Sequence, residues 1–449
     1  MTDLVVHPAE RPLQGSVPVP SDKSIGHRAV LFSSLCNGRS RIRGFSRGED
    51  NVSTMRALQR MGATVTDVSK TEILVDGVGL FGLKAPDGPL DCGNSGTTMR
   101  LFVGLLAAQT FESVLVGDAS LTRRPMMRVA KPIRDRGGRV EGAPHPTKAA
   151  EITAPLRVGP VPEGRELGPL EAVSEVASAQ VKSAVLLSGL YAHGPTIFRE
   201  PTVSRDHTER MMLALGVPLR VVGPIVQLDP AGWSGEMPPL DVEIPGDVSA
   251  AAFLVTAGAL VAGSRVTVRG VGVNPTRTGF LEIARDMGVA LVVENRGDMG
   301  GEPVADLHAA PGPLRAGRVG GELVPRAVDE IPIVCALAAR SPGVTVVRDA
   351  AELRVKESDR IATMCGVLRA FGVECEELPD GMCIQGKPEG KLSAAEVESR
   401  GDHRIAMTAA VMGLVADAPT MIRDCDCIAT SFPKFVGTLR ALGARVDVA

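Results

Sequence analysis

The chain has 449 residues, 44% of them apolar and 22% charged, with a formal net charge of −3. That length exceeds what one core usually supports, so two domains are the default, and the near-neutral charge gives no general pull toward nucleic acid or membrane. Aromatic residues at 3% offer no base-stacking platform, and the eight cysteines form no CxxC pair and no zinc-like spacing.

Dispersed thiols fit a reducing compartment. The first ten residues carry Asp3, His7 and Glu10 and lack the apolar core of a signal peptide, and the most apolar stretch, 250–263, is too short to span a bilayer. A cytoplasmic protein is expected.

Taken in chain order, residues 21–28 (SDKSIGHR) follow a strand-like Val17–Val19 and open an apolar helix over 29–35. Lys23 and Ser24 then lie near a helix N-terminus, whose free N–H groups favour an anion; a plain N-cap by Ser21 or Asp22 would account for the same residues without a ligand. Residues 92–100 (CGNSGTTMR) form a Gly-rich loop before an apolar helix over 101–108, matching neither nucleotide fingerprint but open to close backbone approach by an anion. Paired arginines precede a proline in 121–126 (LTRRPM), where a surface turn would serve equally. A small-residue helix starts at 178–182 (SAQVK) and offers Gln180 as a neutral hydrogen-bonding group.

Asp329 and Glu330 stand before an apolar run, with helix capping by Asp329 as the ligand-free alternative. The segment 353–360 (LRVKESDR) packs five ionisable side chains into eight residues. Lys356 and Glu357 are adjacent and fit no i,i+4 pairing, whereas Arg360, four residues after Lys356, would share a face with it and repel unless an anion lay between. Next come His403 and Arg404 at the start of an apolar helix and Lys434 in 430–434 (TSFPK). Lys23, Arg28, Arg124, Lys356, Arg360, Arg404 and Lys434 are thus expected at loop-to-helix junctions. Each charge-assisted hydrogen bond contributes roughly 1.5–3 kcal/mol, enough for several to hold phosphorylated ligands without metal. Glu357 and Asp329 are the natural proton-transfer groups. Convergent cations repel one another, which a bound phosphate would relieve, favouring domain closure on the ligand.

One pattern recurs along the chain: a helical turn, a glycine, then a β-prone residue. Its glycines are Gly62, Gly137, Gly216, Gly288, Gly372 and Gly443, whose successive positions differ by 75, 79, 72, 84 and 71 residues. Glycine is the expected C-terminal cap before a strand, and six near-even recurrences predict a sixfold repeated α/β unit of two helices and three or four strands. Three units per domain give domains over 21–243 and over 1–20 plus 244–449, with a hinge near 19–22 and 243–247.

The segments SDKSIGHR (21–28), GNSGTTMR (93–100), GDASLTRRPM (117–126), SAQVKSA (178–184), SRDHTE (204–209), NPTRTG (274–279), LRVKESDR (353–360), DHRIAM (402–407) and IATSFP (428–433), in this order, resemble the 5-enolpyruvylshikimate-3-phosphate synthases. GDASLTRRPM, RDHTE and NPTRTG look like the bacterial subgroup with class II-like motifs, associated with glyphosate tolerance. The resemblance implies a two-domain inside-out α/β barrel, each domain three βαβαββ repeats, the enolpyruvyl transferase fold. It implies transfer of the enolpyruvyl group of phosphoenolpyruvate to the 5-hydroxyl of shikimate 3-phosphate by addition and elimination, with no metal or organic cofactor and no nucleic-acid or membrane partner. A monomer is expected. By the same resemblance Lys23, Ser24, Arg28, Ser178, Ala179, Gln180, Arg205, Asp329 and Lys356 contact shikimate 3-phosphate. Lys23, Asn94, Gly96, Arg124, Gln180, Arg360, Arg404 and Lys434 surround phosphoenolpyruvate. Asp329, Glu357 and Lys23 are the catalytic set, Asp329 taking the hydroxyl proton and Glu357 protonating the methylene carbon.

Two departures stand out. Ala179 replaces the second Ser of a Ser-Ser-Gln run, and Gly96 stands where some tolerant relatives carry Ala, which leaves space for glyphosate as an inhibitor. Two other readings compete: the sister transferase acting on UDP-N-acetylglucosamine, which uses a Cys general acid near the place of residues 119–125, and a non-catalytic binder of a phosphorylated metabolite. The first is disfavoured because no cysteine lies between Cys92 and Cys335; the second needs neither Asp329 nor Glu357.

Overall fold

Gly62, Gly137, Gly216, Gly288, Gly372 and Gly443 all adopt positive φ, between +74° and +106°. Each follows a helix and precedes a strand: Glu49–Arg60 leads to Thr64–Asp67, for example, and Arg360–Ala370 to Glu374–Leu378. Only glycine takes this backbone without steric cost, so the six positions fix where each helix turns back into its sheet.

The computed structural model describes residues 2–161 and 166–449. The chain divides into two compact units, one of Met1–Asp22 with Pro245–Ala449, the other Lys23–Ile244. Among the described residues, each unit holds three four-stranded sheets. All six share one pairing order: a parallel pair at one edge, then two successive antiparallel pairings. In Lys23–Ile244, strand Leu90–Asp91 runs parallel to Ser113–Val116, which is antiparallel to Ile152–Val158, itself antiparallel to Val140–Pro144. This is a βαβαββ repeat.

Three strands reach their sheets from far along the chain. Leu4–Val6 lies between Thr420–Arg423 and Val446–Val448 and completes the sixth repeat. Gln14–Pro18 pairs in parallel with Arg265–Gly272, and Asp241–Glu243 pairs in parallel with Asn37–Arg43.

The first helix of each repeat is sealed off from solvent. In the unit completed by the C-terminal half, Val248–Leu260, Ile331–Arg340 and His403–Gly413 pack on one another. In the other, Gly96–Leu106 packs on both Lys23–Leu35 and Ala179–Gly189. These helices are buried on nearly every face, and their Ala and Gly residues permit close approach. At Gly104 an added Cβ would collide with the carbonyl of Ala184, so only glycine fits. Helices therefore form the interior of each unit and the sheets its outside. No helix among the described residues is long and apolar enough to cross a membrane.

Candidate active site

Unit Lys23–Ile244 gathers its polar residues at the N-terminal ends of the interior helices. Helix Lys23–Leu35 begins at Lys23 itself, earlier than the expected 29–35, because Lys23, Ser24 and Gly26 continue the same helical turn. Lys23 Nζ donates to Asp50 Oδ2 at 2.8 Å, and Asn51 Nδ2 donates to the Lys23 carbonyl at 3.0 Å. Arg28 is buried, its Nε donating to Thr208 Oγ1 at 2.6 Å, Nη2 to Ser183 Oγ at 2.8 Å and Nη1 to the Ser24 carbonyl at 2.9 Å. Arg28 thereby ties three helices, and Arg205 Nη1 approaches Ser24 Oγ at 3.5 Å.

The Gly-rich loop forms a second group in this unit. Ser95 caps helix Gly96–Leu106 by accepting from Thr98 N. Asn94 Nδ2 donates to Asp118 Oδ2 at 2.6 Å, and its Oδ1 accepts from Arg124 Nη2 at 2.7 Å. Of the paired arginines, Arg123 is exposed and Arg124 is buried, so 121–126 is more than a surface turn. Ser178 caps helix Ala179–Gly189, and Ala179 occupies its first position. Gln180 accepts from Arg100 Nη1 at 2.7 Å and donates to Thr97 Oγ1 at 2.8 Å. A Cβ added at Gly96 would lie 2.9 Å from Arg100 Nη1 and 3.1 Å from Arg124 Nη1.

The other unit centres on Arg360, the first residue of helix Arg360–Ala370, whose N-cap Asp359 accepts from Ala362 N. Its side chain is 1% exposed and meets three carboxylates: Asp402 at 2.8 Å, Glu357 at 2.6 Å and Asp329 at 3.4 Å. Burial would lower its pKa, but these carboxylates carry it above the ordinary arginine value, so the group stays cationic. Lys356 lies 3.5 Å and Arg404 4.0 Å from the Asp329 carboxylate. Asp402 caps helix His403–Gly413 through Arg404 N and accepts from Ser358 Oγ at 3.0 Å.

Several expectations for 353–360 need correction. The segment is not one helical face: Ala351–Val355 is a 3-10 turn, Lys356 is extended, and the α-helix starts at Arg360. Lys356 does make an i,i+4 ion pair, with Glu352 at 3.7 Å, and Glu357 pairs with Arg360 at i+3. Nor do the cations of this unit simply repel, because Lys356, Arg360 and Arg404 converge on the carboxylate of Asp329. Asp329 does not cap the following helix; the N-cap position is Glu330, without a side-chain cap bond. Lys434 stands exposed at the N-cap of helix Phe435–Ala441, and its ammonium has no carboxylate partner among the described residues.

Sequence reading missed Asp50, Arg100, Asp118, Thr208 and Asp402, each a direct partner of an expected site residue. Arg100 and Asp402 had a visible signal, a charge at the edge of an apolar helix. It also missed a buried network of Asp22, Asp247, Ser249, Arg277 and Glu330.

The family model described as EPSP synthase (3-phosphoshikimate 1-carboxyvinyltransferase) matches residues 8–439. A 3-phosphoshikimate 1-carboxyvinyltransferase of Citrifermentans bemidjiense is 47% identical over 449 residues, covering 99% of this chain and 100% of the relative. One of Xanthomonas campestris pv. campestris is 46% identical, covering 96% of this chain and 95% of the relative. Among solved structures, the EPSP synthase of Acinetobacter baumannii superposes with a TM-score of 0.86 at 39% identity, with both chains fully covered. The enolpyruvyl transferase NikO of Streptomyces tendae shares the fold, with a TM-score of 0.77 at 16% identity over 100% of this chain and 99% of that one.

Proposed function

The chain belongs to the EPSP synthase (3-phosphoshikimate 1-carboxyvinyltransferase) family and is a transferase of the shikimate pathway; from that premise we propose that Asp329 and Glu357 move the protons of its reaction. The enolpyruvyl group of phosphoenolpyruvate passes to the 5-hydroxyl of shikimate 3-phosphate, and phosphate leaves. In the addition step the hydroxyl oxygen bonds to C2 of phosphoenolpyruvate, Asp329 accepts the hydroxyl proton, and Glu357 delivers a proton to the methylene carbon. The product is a tetrahedral ketal. Elimination returns a methyl proton to Glu357, breaks the C2–O bond to phosphate and restores the double bond, while Asp329 passes the hydroxyl proton to the departing phosphate. The observation that carries this reading is that one buried, permanently cationic guanidinium, Arg360, holds both carboxylates.

Lys23, Ser24, Arg28, Ser178, Ala179, Gln180, Arg205, Asp329 and Lys356 would bind shikimate 3-phosphate. Lys23, Asn94, Gly96, Arg124, Gln180, Arg360, Arg404 and Lys434 would surround phosphoenolpyruvate, their donors stabilising charge on its phosphate and carboxylate. Gly96 would admit glyphosate. The reading extends to a monomer working in the cytoplasm, in keeping with eight free cysteines.

The test is phosphate release by purified protein with phosphoenolpyruvate and shikimate 3-phosphate, each substrate omitted in turn. Release that requires both supports the reading. Release with UDP-N-acetylglucosamine in place of shikimate 3-phosphate overturns it.

A further inference from the structure

Arg277 sits in a turn after strand Arg265–Gly272, its backbone N–H donating to the Asn274 carbonyl at 2.8 Å. The turn is fixed by Asn274, whose Nδ2 donates to Glu302 Oε2 at 2.7 Å and whose Oδ1 accepts from Thr276 N at 2.9 Å. From this support the guanidinium reaches into a sealed space. Its Nη2 donates to Asp247 Oδ1 and to Ser249 Oγ, both at 2.9 Å, and lies 3.6 Å from Asp22 Oδ2 and 4.0 Å from Glu330 Oε1. Ser249 Oγ in turn donates to Glu330 Oε1. The side chains of Arg277 and Glu330 are 4% and 1% exposed.

The positions of these partners are informative. Asp22 is the last residue before the first chain crossing, and Asp247 follows closely after the second. Their segments are stitched together, Asp22 N donating to the Pro245 carbonyl at 2.7 Å and Asp247 N to the Pro20 carbonyl at 2.8 Å. Glu330 is the immediate neighbour of Asp329. A buried ionic network adds little stability over apolar packing of the same volume, so stability alone does not explain one guanidinium set among three carboxylates at this point. Without its charge, Glu330, Asp247 and Asp22 would repel one another, and a shift of Glu330 would carry Asp329 with it.

We propose that Arg277 is a positioning residue for the transfer reaction, holding Asp329 in place through Ser249 and Glu330 while anchoring the crossing segments at Asp22 and Asp247. The inference rests on the reading of Asp329 as the base. Arg277 is buried among Asp22, Asp247 and Glu330, so it acts through these neighbours.

Steady-state kinetics of Arg277→Gln, Arg277→Lys and Ser249→Ala, beside Asp329→Asn, test this. Ser249→Ala keeps every charge and isolates the link to Glu330 if Arg277→Gln fails to fold. The expected results are a kcat lowered about tenfold in Ser249→Ala and about a hundredfold in Arg277→Gln, with KM for both substrates within about twofold of wild type. Arg277→Lys should recover part of the Arg277→Gln loss. Adding Ser249→Ala to Asp329→Asn should lower kcat no further, because the base it positions is already gone. If Asp329→Asn abolishes turnover while Ser249→Ala and Arg277→Lys both behave as wild type, the inference fails and the base assignment stands. If Asp329→Asn turns over normally, both fall.

Discussion

Arg360 Nε donates to Asp402 Oδ2 at 2.8 Å, and the two side chains are 1% and 0% exposed. Asp402 also caps helix His403–Gly413, so one carboxylate orients the cation and starts the helix that carries Arg404. Removing one partner of a buried pair leaves the other charged and desolvated, which costs about 3–5 kcal/mol. Asp402→Ala should lose stability on that scale in denaturant unfolding, well beyond the loss of a cap alone.

The same carboxylate sets a pH dependence. Burial would raise the pKa of Asp402, but the Arg360 guanidinium beside it brings it below the ordinary carboxylate value. A depressed folded-state pKa contributes stability that is present above the unfolded value of about 3.9 and is lost as pH falls through the folded one. Melting of the wild type should therefore fall away below about pH 4, and Asp402→Asn should show a shallower acid limb from a lower starting point.

Arg124 engages Asn94 through Nη2, and Asn94 is itself held by Asp118. A lysine would keep the charge but not the planar fork that meets Asn94 and, in the proposed site, can also take a phosphate or carboxylate oxygen. Arg124→Lys should raise KM for phosphoenolpyruvate by about tenfold or more, consistent with a charge-assisted hydrogen bond of roughly 1.5–3 kcal/mol. KM for shikimate 3-phosphate should stay within about twofold.

Gly96 makes a sharper test. Its missing Cβ would stand 2.9 Å from Arg100 Nη1 and 3.1 Å from Arg124 Nη1, so an added methyl must push on both guanidinium groups. Gly96→Ala is expected to reduce glyphosate inhibition and also raise KM for phosphoenolpyruvate, because Arg124 is displaced with the methyl. Inhibition and KM unchanged from wild type would show that the methyl has no such role.

Much of the fold was legible because it repeats. The turn after each second helix requires positive φ, only glycine supplies it cheaply, and the six glycines therefore mark the six units in the sequence itself. The carboxylates and cations of 353–360 were legible as a cluster, but their geometry was not. A 3-10 turn and an extended Lys356 break the helical register that spacing alone assumes. Asp50, Asp118 and Asp402 escaped notice because their roles depend on partners 27, 24 and 42 residues away in sequence. Arg277 escaped for a stronger reason, since its carboxylates come from Asp22, Asp247 and Glu330, segments that only the strand topology brings together.

The most direct test of the account is Glu357→Gln. Glu357 Oε2 accepts from Arg360 Nη2, and glutamine keeps an oxygen for that bond while losing the acid. The account predicts that phosphate release falls by at least about a hundredfold, with shikimate 3-phosphate binding by calorimetry near the wild-type value. Turnover within a few-fold of wild type would contradict the assignment of Glu357 as the group that protonates the methylene carbon.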